Sequence, residues 1–404
     1  MANTLPDGFL WGAATAGHQV EGNNTGSDVW ALEHAPGSPL PQRSGDACDS
    51  YHRWREDLDI VRDLGLNSYR FGVEWARIEP APGQFSRAEL AHYRRMVEGC
   101  LERGITPVVT LHHFASPAWF RSGGGWTSAE GIALFRRYVR QVKAVLDGVP
   151  WVCTINEPNM LAMISGVRSA AEEPGDAEGS GDGGSQGLVA GAMPPPDQGV
   201  ADALMAAHHA AREELSDLQG TAVGWTVANQ GFQALDGAEE RAAEWALTRE
   251  DQFLDAAVED DFIGVQAYTR VRISPDGPVD PPADARRTIT GWEFYPQALE
   301  GAVRHTAERT GGVPVLVTEN GIATASDEER IEYTRGALAG LNRAVRDGVD
   351  VRGYLHWSLL DNYEWGRWEP TFGLVSVDRE TFVRSVKPSG RWYGDVAREG
   401  RLPS

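Results

Sequence analysis

Trp151-Val152-Cys153-Thr154-Ile155-Asn156-Glu157-Pro158 is an apolar run of strand-forming residues that stops at an amide, a carboxylate and a proline. Such a run suits a strand buried on both faces, and the proline ends it. A second run, Val317-Thr318-Glu319-Asn320-Gly321, repeats the pattern. Here too strand-formers end in a carboxylate beside turn-forming residues. The distance between Glu157 and Glu319 accommodates about three to four strand–helix units, so two different strands can deliver both carboxylates to one cleft.

Working outward, the same kind of run recurs along the chain. Residues 9–15, 66–75, 105–111, 151–156, 223–229, 262–268, 313–318 and 351–357 read as strands. Helical periodicity lies between them, at 55–64, 135–146, 200–218, 251–259, 291–310 and 327–346. Gly65, Gly104 and Gly348 mark helix ends. Alternating strand and helix requires a parallel sheet. Eight units without a break predict an α/β protein built as one closed (β/α)8 TIM barrel, with residues 1–404 a single catalytic domain. One segment, residues 169–198, is rich in Gly, Ala, Pro and acid. It reads as a long loop over the catalytic face, either an idle insertion or a wall of the site.

Composition narrows the function. The chain has 404 residues, 41 % hydrophobic, with a net charge of −21. That charge speaks against nucleic acid and anionic membrane as partners. No stretch has the apolar length of a membrane span, and the first residues carry no basic, apolar leader. The three cysteines, Cys48, Cys100 and Cys153, are widely spaced and odd in number, which suits a reducing, cytoplasmic compartment. No metal-ligand spacing is present, and no cofactor is expected. The oligomeric state is left open.

In a barrel of this kind, strand ends carry the chemistry. Gln19, Arg70, His113, Asn156, Glu157, Tyr268, Glu319, Trp357, Glu364 and Trp365 all fall at or just after predicted strands. Amides, imidazole and carboxylates serve sugar hydroxyls, and an indole face covers the C–H face of a pyranose. Paired carboxylates across a cleft are the working parts of glycosidic bond cleavage.

These residues carry a resemblance. Phe9-Leu10-Trp11-Gly12-Ala13-Ala14-Thr15-Ala16-Gly17-His18-Gln19-Val20-Glu21-Gly22, Thr154-Ile155-Asn156-Glu157-Pro158, Thr318-Glu319-Asn320-Gly321, Trp357-Ser358-Leu359-Leu360-Asp361-Asn362-Tyr363-Glu364-Trp365 and Phe372-Gly373-Leu374 resemble, in order, the motifs of glycoside hydrolase family 1, the β-glucosidase family. The resemblance implies a retaining β-glycosidase acting on small β-linked glucosides. In that reading Glu157 is the acid/base, Glu319 the nucleophile, Tyr268 the holder of its carboxylate and Arg70 its positive neighbour. Gln19, His113, Asn156, Glu364 and Trp365 bind the sugar hydroxyls, Trp357 is the platform, and Phe372 lies near the primary alcohol. A transglycosidase would use the same site, whereas an inactive sugar-binding relative would not need both carboxylates. Two departures stand out. His112-His113-Phe114-Ala115 replaces the family's Tyr-His-Trp-Asp, removing an indole donor. Gln266-Ala267-Tyr268 replaces Asn-Tyr-Tyr.

Overall fold

The computed structural model describes residue 5, residues 8–172 and residues 193–403. Its centre is a closed barrel of eight parallel strands: β1 (Leu10–Ala14), β2 (Ser68–Gly72), β3 (Thr106–Thr110), β4 (Trp151–Asn156), β5 (Ala222–Ala228), β6 (Phe262–Gln266), β7 (Val315–Asn320) and β8 (Val351–Trp357). Each strand pairs with its sequence neighbours, and β8 closes on β1. All eight coincide with strands expected from the sequence. Their apolar content follows from burial on both faces.

The interior is filled separately from the outer layer. Leu10, Val108, Cys153, Phe262, Leu316 and Leu355 pack together inside the barrel, with Trp357 and Phe372 in the same cluster. The much larger second cluster packs the barrel's outer face against the helices. Gly264 is required on the inside. A Cβ there would lie 2.5 Å from Thr226 Cγ2 and 2.9 Å from Thr318 Oγ1, crowding the polar layer beneath the site.

The surrounding helices include α1 (Ser50–Asp63), α2 (Arg87–Glu102), α3 (Gly131–Val142), α4 (Pro158–Glu172), α5 (Gln198–Leu215), α6 (Ala298–Arg309), α7 (Asp327–Arg346) and α8 (Pro388–Glu399). α7 shows why such segments form. Ser326 Oγ accepts from Glu329 N, acids fill the first turn, and Arg343 and Arg346 stand in the last. Its apolar face buries Tyr333, Ala337, Leu338 and Leu341. α8 ties the closure, with the Tyr393 hydroxyl donating to the carbonyls of Gly12 in β1 and Tyr354 in β8.

Several sequence expectations differ from this outcome. The helix expected over 291–310 begins only at Ala298, because residues 286–293 double back through an Arg287–Glu293 bridge and Pro296 interrupts the run. The helix expected over 251–259 is a π turn, Leu247–Asp251, continued by Gln252–Asp255. Of α2 the sequence marks only the end, at Gly104, and not the body. Of the loop expected over 169–198, the backbone of residues 169–172 is helical as the end of α4. Residues 173–192 lie outside the described part of the chain. Among the described residues no helix is long and apolar enough to cross a membrane.

Candidate active site

Strand register brings the site together. Ala14 pairs with Arg70 on one side and Trp357 on the other. Asn156 pairs with Thr226, and Glu319 with Gln266. Both carboxylate strands lose regular register at these ends, between Cys153 and Asn156 and between Val317 and Glu319. Such irregularities re-aim side chains at a barrel rim. Glu157 then turns sharply, with φ of 44°, and Phe114 (61°) and Trp365 (45°) do the same nearby.

Glu319 is buried and fully engaged. Arg70 Nη1 donates to its Oε1 at 2.6 Å, Gln266 Nε2 donates to the same oxygen at 2.8 Å, and the Tyr268 hydroxyl donates to Oε2 at 2.6 Å. Asn156 Oδ1 is the second hub. It accepts from Arg70 Nη2 at 2.5 Å, Gln266 Nε2 at 2.8 Å and Thr226 Oγ1 at 3.0 Å. These three donors fix the amide, so Asn156 Nδ2 faces His113 Nε2 at 3.3 Å. That ring nitrogen must therefore accept, which assigns the proton to His113 Nδ1.

The opposite wall is aromatic. His113 lies nearly parallel to both Trp357 and Trp365, with ring centroids 5.9 and 6.3 Å away. Trp357 Nε1 donates to Glu364 Oε1 at 3.2 Å, and Gln19 Nε2 donates to Glu364 Oε2 at 3.4 Å. Phe372 meets the Tyr268 ring edge-on at 5.9 Å, and Phe114 meets Trp365 edge-on at 5.1 Å. Every residue singled out from the sequence thus lies in one connected cluster, apart from Glu157. No described residue hydrogen-bonds the Glu157 carboxyl, but that group interacts electrostatically with Glu319 and Arg70.

The electrostatics separate the two glutamates. Burial raises both carboxyls above the ordinary range. For Glu157 the Glu319 charge adds to that rise, so Glu157 sits well above the usual value. For Glu319 the Arg70 charge and the Arg70 and Tyr268 hydrogen bonds oppose it. A single proton shared by the pair therefore resides on Glu157. Burial and the adjacent Glu319 charge push Tyr268 far up, so it remains a donor. Burial and Arg70 hold His113 well below the imidazole range, so it remains neutral. Burial pushes Glu364 up to about 8.

Gln19 Oε1, Gln266 Oε1 and His113 Nδ1 are buried without hydrogen-bond partners among the described residues. Unpaired buried polar groups are costly, and a polyhydroxylated ligand is the kind of molecule that satisfies such a set. Sequence reasoning missed Gln266 as a site residue, although its place at a strand end beside Tyr268 was a usable signal. It also missed Thr226, a mid-strand threonine with no signal, and Trp292, whose ring lies 5.6 Å from that of Tyr268. Among the described residues no group of three or more His, Cys, Asp or Glu is placed to hold a metal.

Comparison with known proteins points the same way as this geometry. The model of the family described as Glycosyl hydrolase family 1 matches residues 1–270 and 236–401. The chain is 33 % identical to a β-glucosidase of an Agrobacterium species, covering 98 % of this chain and 96 % of that protein. It is 30 % identical to β-glucosidase A of Thermotoga maritima, covering 98 % of each. Among solved structures, a β-glycosidase superposes with a TM-score of 0.87 at 44 % identity, covering 99 % of this chain and 98 % of that one. A β-glycosidase from Pyrococcus horikoshii gives 0.87 at 34 % identity, covering 100 % and 97 %.

Proposed function

Because the chain belongs to glycosyl hydrolase family 1, we propose that Glu157 and Glu319 divide between them the cleavage of a β-glycosidic bond. The enzyme is a glycoside hydrolase of the β-glucosidase type, acting on β-glucosides with retention. Glu319, ionised and oriented by Arg70, Tyr268 and Gln266, attacks the anomeric carbon. Glu157 gives its proton to the departing oxygen, so the bond breaks without expelling a free alkoxide. Once Glu157 is ionised it takes a proton from water, which opens the glycosyl ester and returns Glu319 as a carboxylate. The site takes the sugar with Trp357 as platform, and Gln19, His113, Asn156, Glu364, Trp365 and Phe372 around it.

The observation that carries these roles is the asymmetry of partners: three donors on Glu319 and, among the described residues, none on Glu157. A 2-deoxy-2-fluoroglucoside with a good leaving group tests them. It should label the peptide containing Glu319 and inactivate the enzyme. Label on any other carboxylate overturns the assignment. The whole chain acts as one catalytic unit. A cytoplasmic enzyme with no nucleic-acid partner is supported by three free cysteines and a net charge of −21.

A further inference from the structure

A second concavity adjoins the site. It has a volume of about 220 Å³ and is walled by residues 269–272, 278–281 and 291–293. Complete ligand pockets run to about 300–1,000 Å³, so this one suits an arm of a ligand. Its back is the ribbon of Val271–Ser274 and Gly277–Val279. The wall begins one residue beyond Tyr268, whose hydroxyl holds Glu319. Trp292 belongs to both spaces. It lines the pocket, and its ring lies 5.6 Å from that of Tyr268 and 6.4 Å from that of Phe372.

The charges on this wall are unequal. Arg270 is committed, with Nε and Nη2 donating to the two Glu293 oxygens at 2.9 and 2.7 Å and its guanidinium 3.9 Å over the Tyr295 ring. Arg272 is different. It is half-buried in the same wall, paired through its backbone with Gln233 and Val279, and its guanidinium makes no hydrogen bond or ion pair with any described residue. Asp280 also lines the pocket but is exposed, where water and salt screen it. A guanidinium presents a planar fork of donors that fits a carboxylate. Val279 adds apolar surface at the rim and is 38 % exposed. An aromatic wall beside a guanidinium that no described residue engages matches an aromatic acid.

We propose that this pocket receives the far end of the aglycone and selects aromatic aglycones that carry a carboxylate, with Arg272 as its partner and Trp292 as the ring's wall. The proposal rests on the β-glucosidase reading above. Three substrates separate the two. The wild-type enzyme is assayed on phenyl β-glucoside, on the β-glucoside of 4-hydroxycinnamic acid, and on the methyl ester of that glucoside. The readout is the acid-to-ester ratio of kcat/KM, compared between enzymes so that leaving-group differences cancel. Arg272→Ala should lower that ratio about tenfold, the scale of one charge-assisted contact at a partly exposed site. Arg272→Lys should retain part of it. Added salt should reduce the wild-type ratio. If phenyl β-glucoside is not cleaved, the β-glucosidase reading itself falls. If it is cleaved while the ratio ignores Arg272→Ala, the pocket proposal alone falls. A wild-type ratio indifferent to salt has the same meaning, which decides the matter even if Arg272→Ala fails to fold.

Discussion

Arg70 and Glu319 form a 2.6 Å ion pair in which the guanidinium is wholly shielded from water and the carboxylate nearly so. A pair this deep gains little net stability, because both charges lose their hydration. Its use is orientation. One arm of Arg70 grips Glu319 and the other grips Asn156, while Nε is anchored to Thr110 Oγ1 at 3.0 Å. The arrangement of the site therefore hangs on a single planar group.

Glu319→Ala should abolish turnover of every substrate. Glu157→Ala should hurt poor leaving groups far more than good ones, since good ones need little protonation. Azide should then restore Glu157→Ala and yield the β-glycosyl azide. Identical responses of both variants to leaving group and azide contradict the division of roles.

Tyr268→Phe removes a hydrogen bond that lowers the carboxyl pKa of Glu319. Without it that pKa rises. The acidic limb of the kcat/KM profile should move to higher pH, and kcat should fall about 10²–10³-fold, as when one positioned donor is lost. A limb that stays in place shows that Glu319 need not be ionised.

Gln266→Leu strips one donor from Glu319 and one from Asn156. Each retains others, so the effect is smaller. A loss of about tenfold in kcat/KM is expected, the scale of one or two neutral hydrogen bonds. The acidic limb should shift in the same direction as in Tyr268→Phe. Wild-type kinetics in Gln266→Leu would make the bridge incidental.

Stability should peak near neutral pH. Burial raises Glu74 from 4.5 to about 8, and Glu364 likewise. A group raised in the folded state contributes stability that is complete below its unfolded pKa and lost as pH climbs through the folded one. Burial lowers His92 to about 4 and His112 and His356 to about 3. Their contribution is lost as pH falls below about 6.5. Melting temperature should therefore drop by roughly a few degrees between about pH 7 and 9. Calorimetry on Glu74→Gln should show a shallower decline there, and an unchanged slope assigns the effect elsewhere.

The barrel was legible because its strands are buried on both faces and announce themselves as apolar runs. The body of α2, whose end Gly104 marks, escaped notice although Ser86 and Glu89 form a capping pair, with Ser86 Oγ accepting from Glu89 N. Its face is polar in places and holds a glycine, Gly99, which packs against Trp54. The helix expected from Gly291 lost its first residues to Pro296 and to the tight doubling-back at the Arg287–Glu293 bridge, which helical periodicity does not register. In the site, residue types at strand ends led directly to the cluster around Glu319. Thr226 did not emerge, because its role depends on register with Asn156 across two strands. Trp292 did not emerge, because it sits in a connection whose path only the fold decides.

The left-handed backbone at Phe114, Glu157 and Trp365 has a bearing on how this enzyme would respond to selection. Each costs roughly 1–2 kcal/mol that glycine would not. A library screened for heat tolerance alone would drift toward Gly or Asn at positions 114 and 365. It would gain degrees of melting temperature there while surrendering the aromatic faces that these turns present. Robustness and turnover thus compete for the same few residues, and a screen that rewards both must look for its gains on the outer helices.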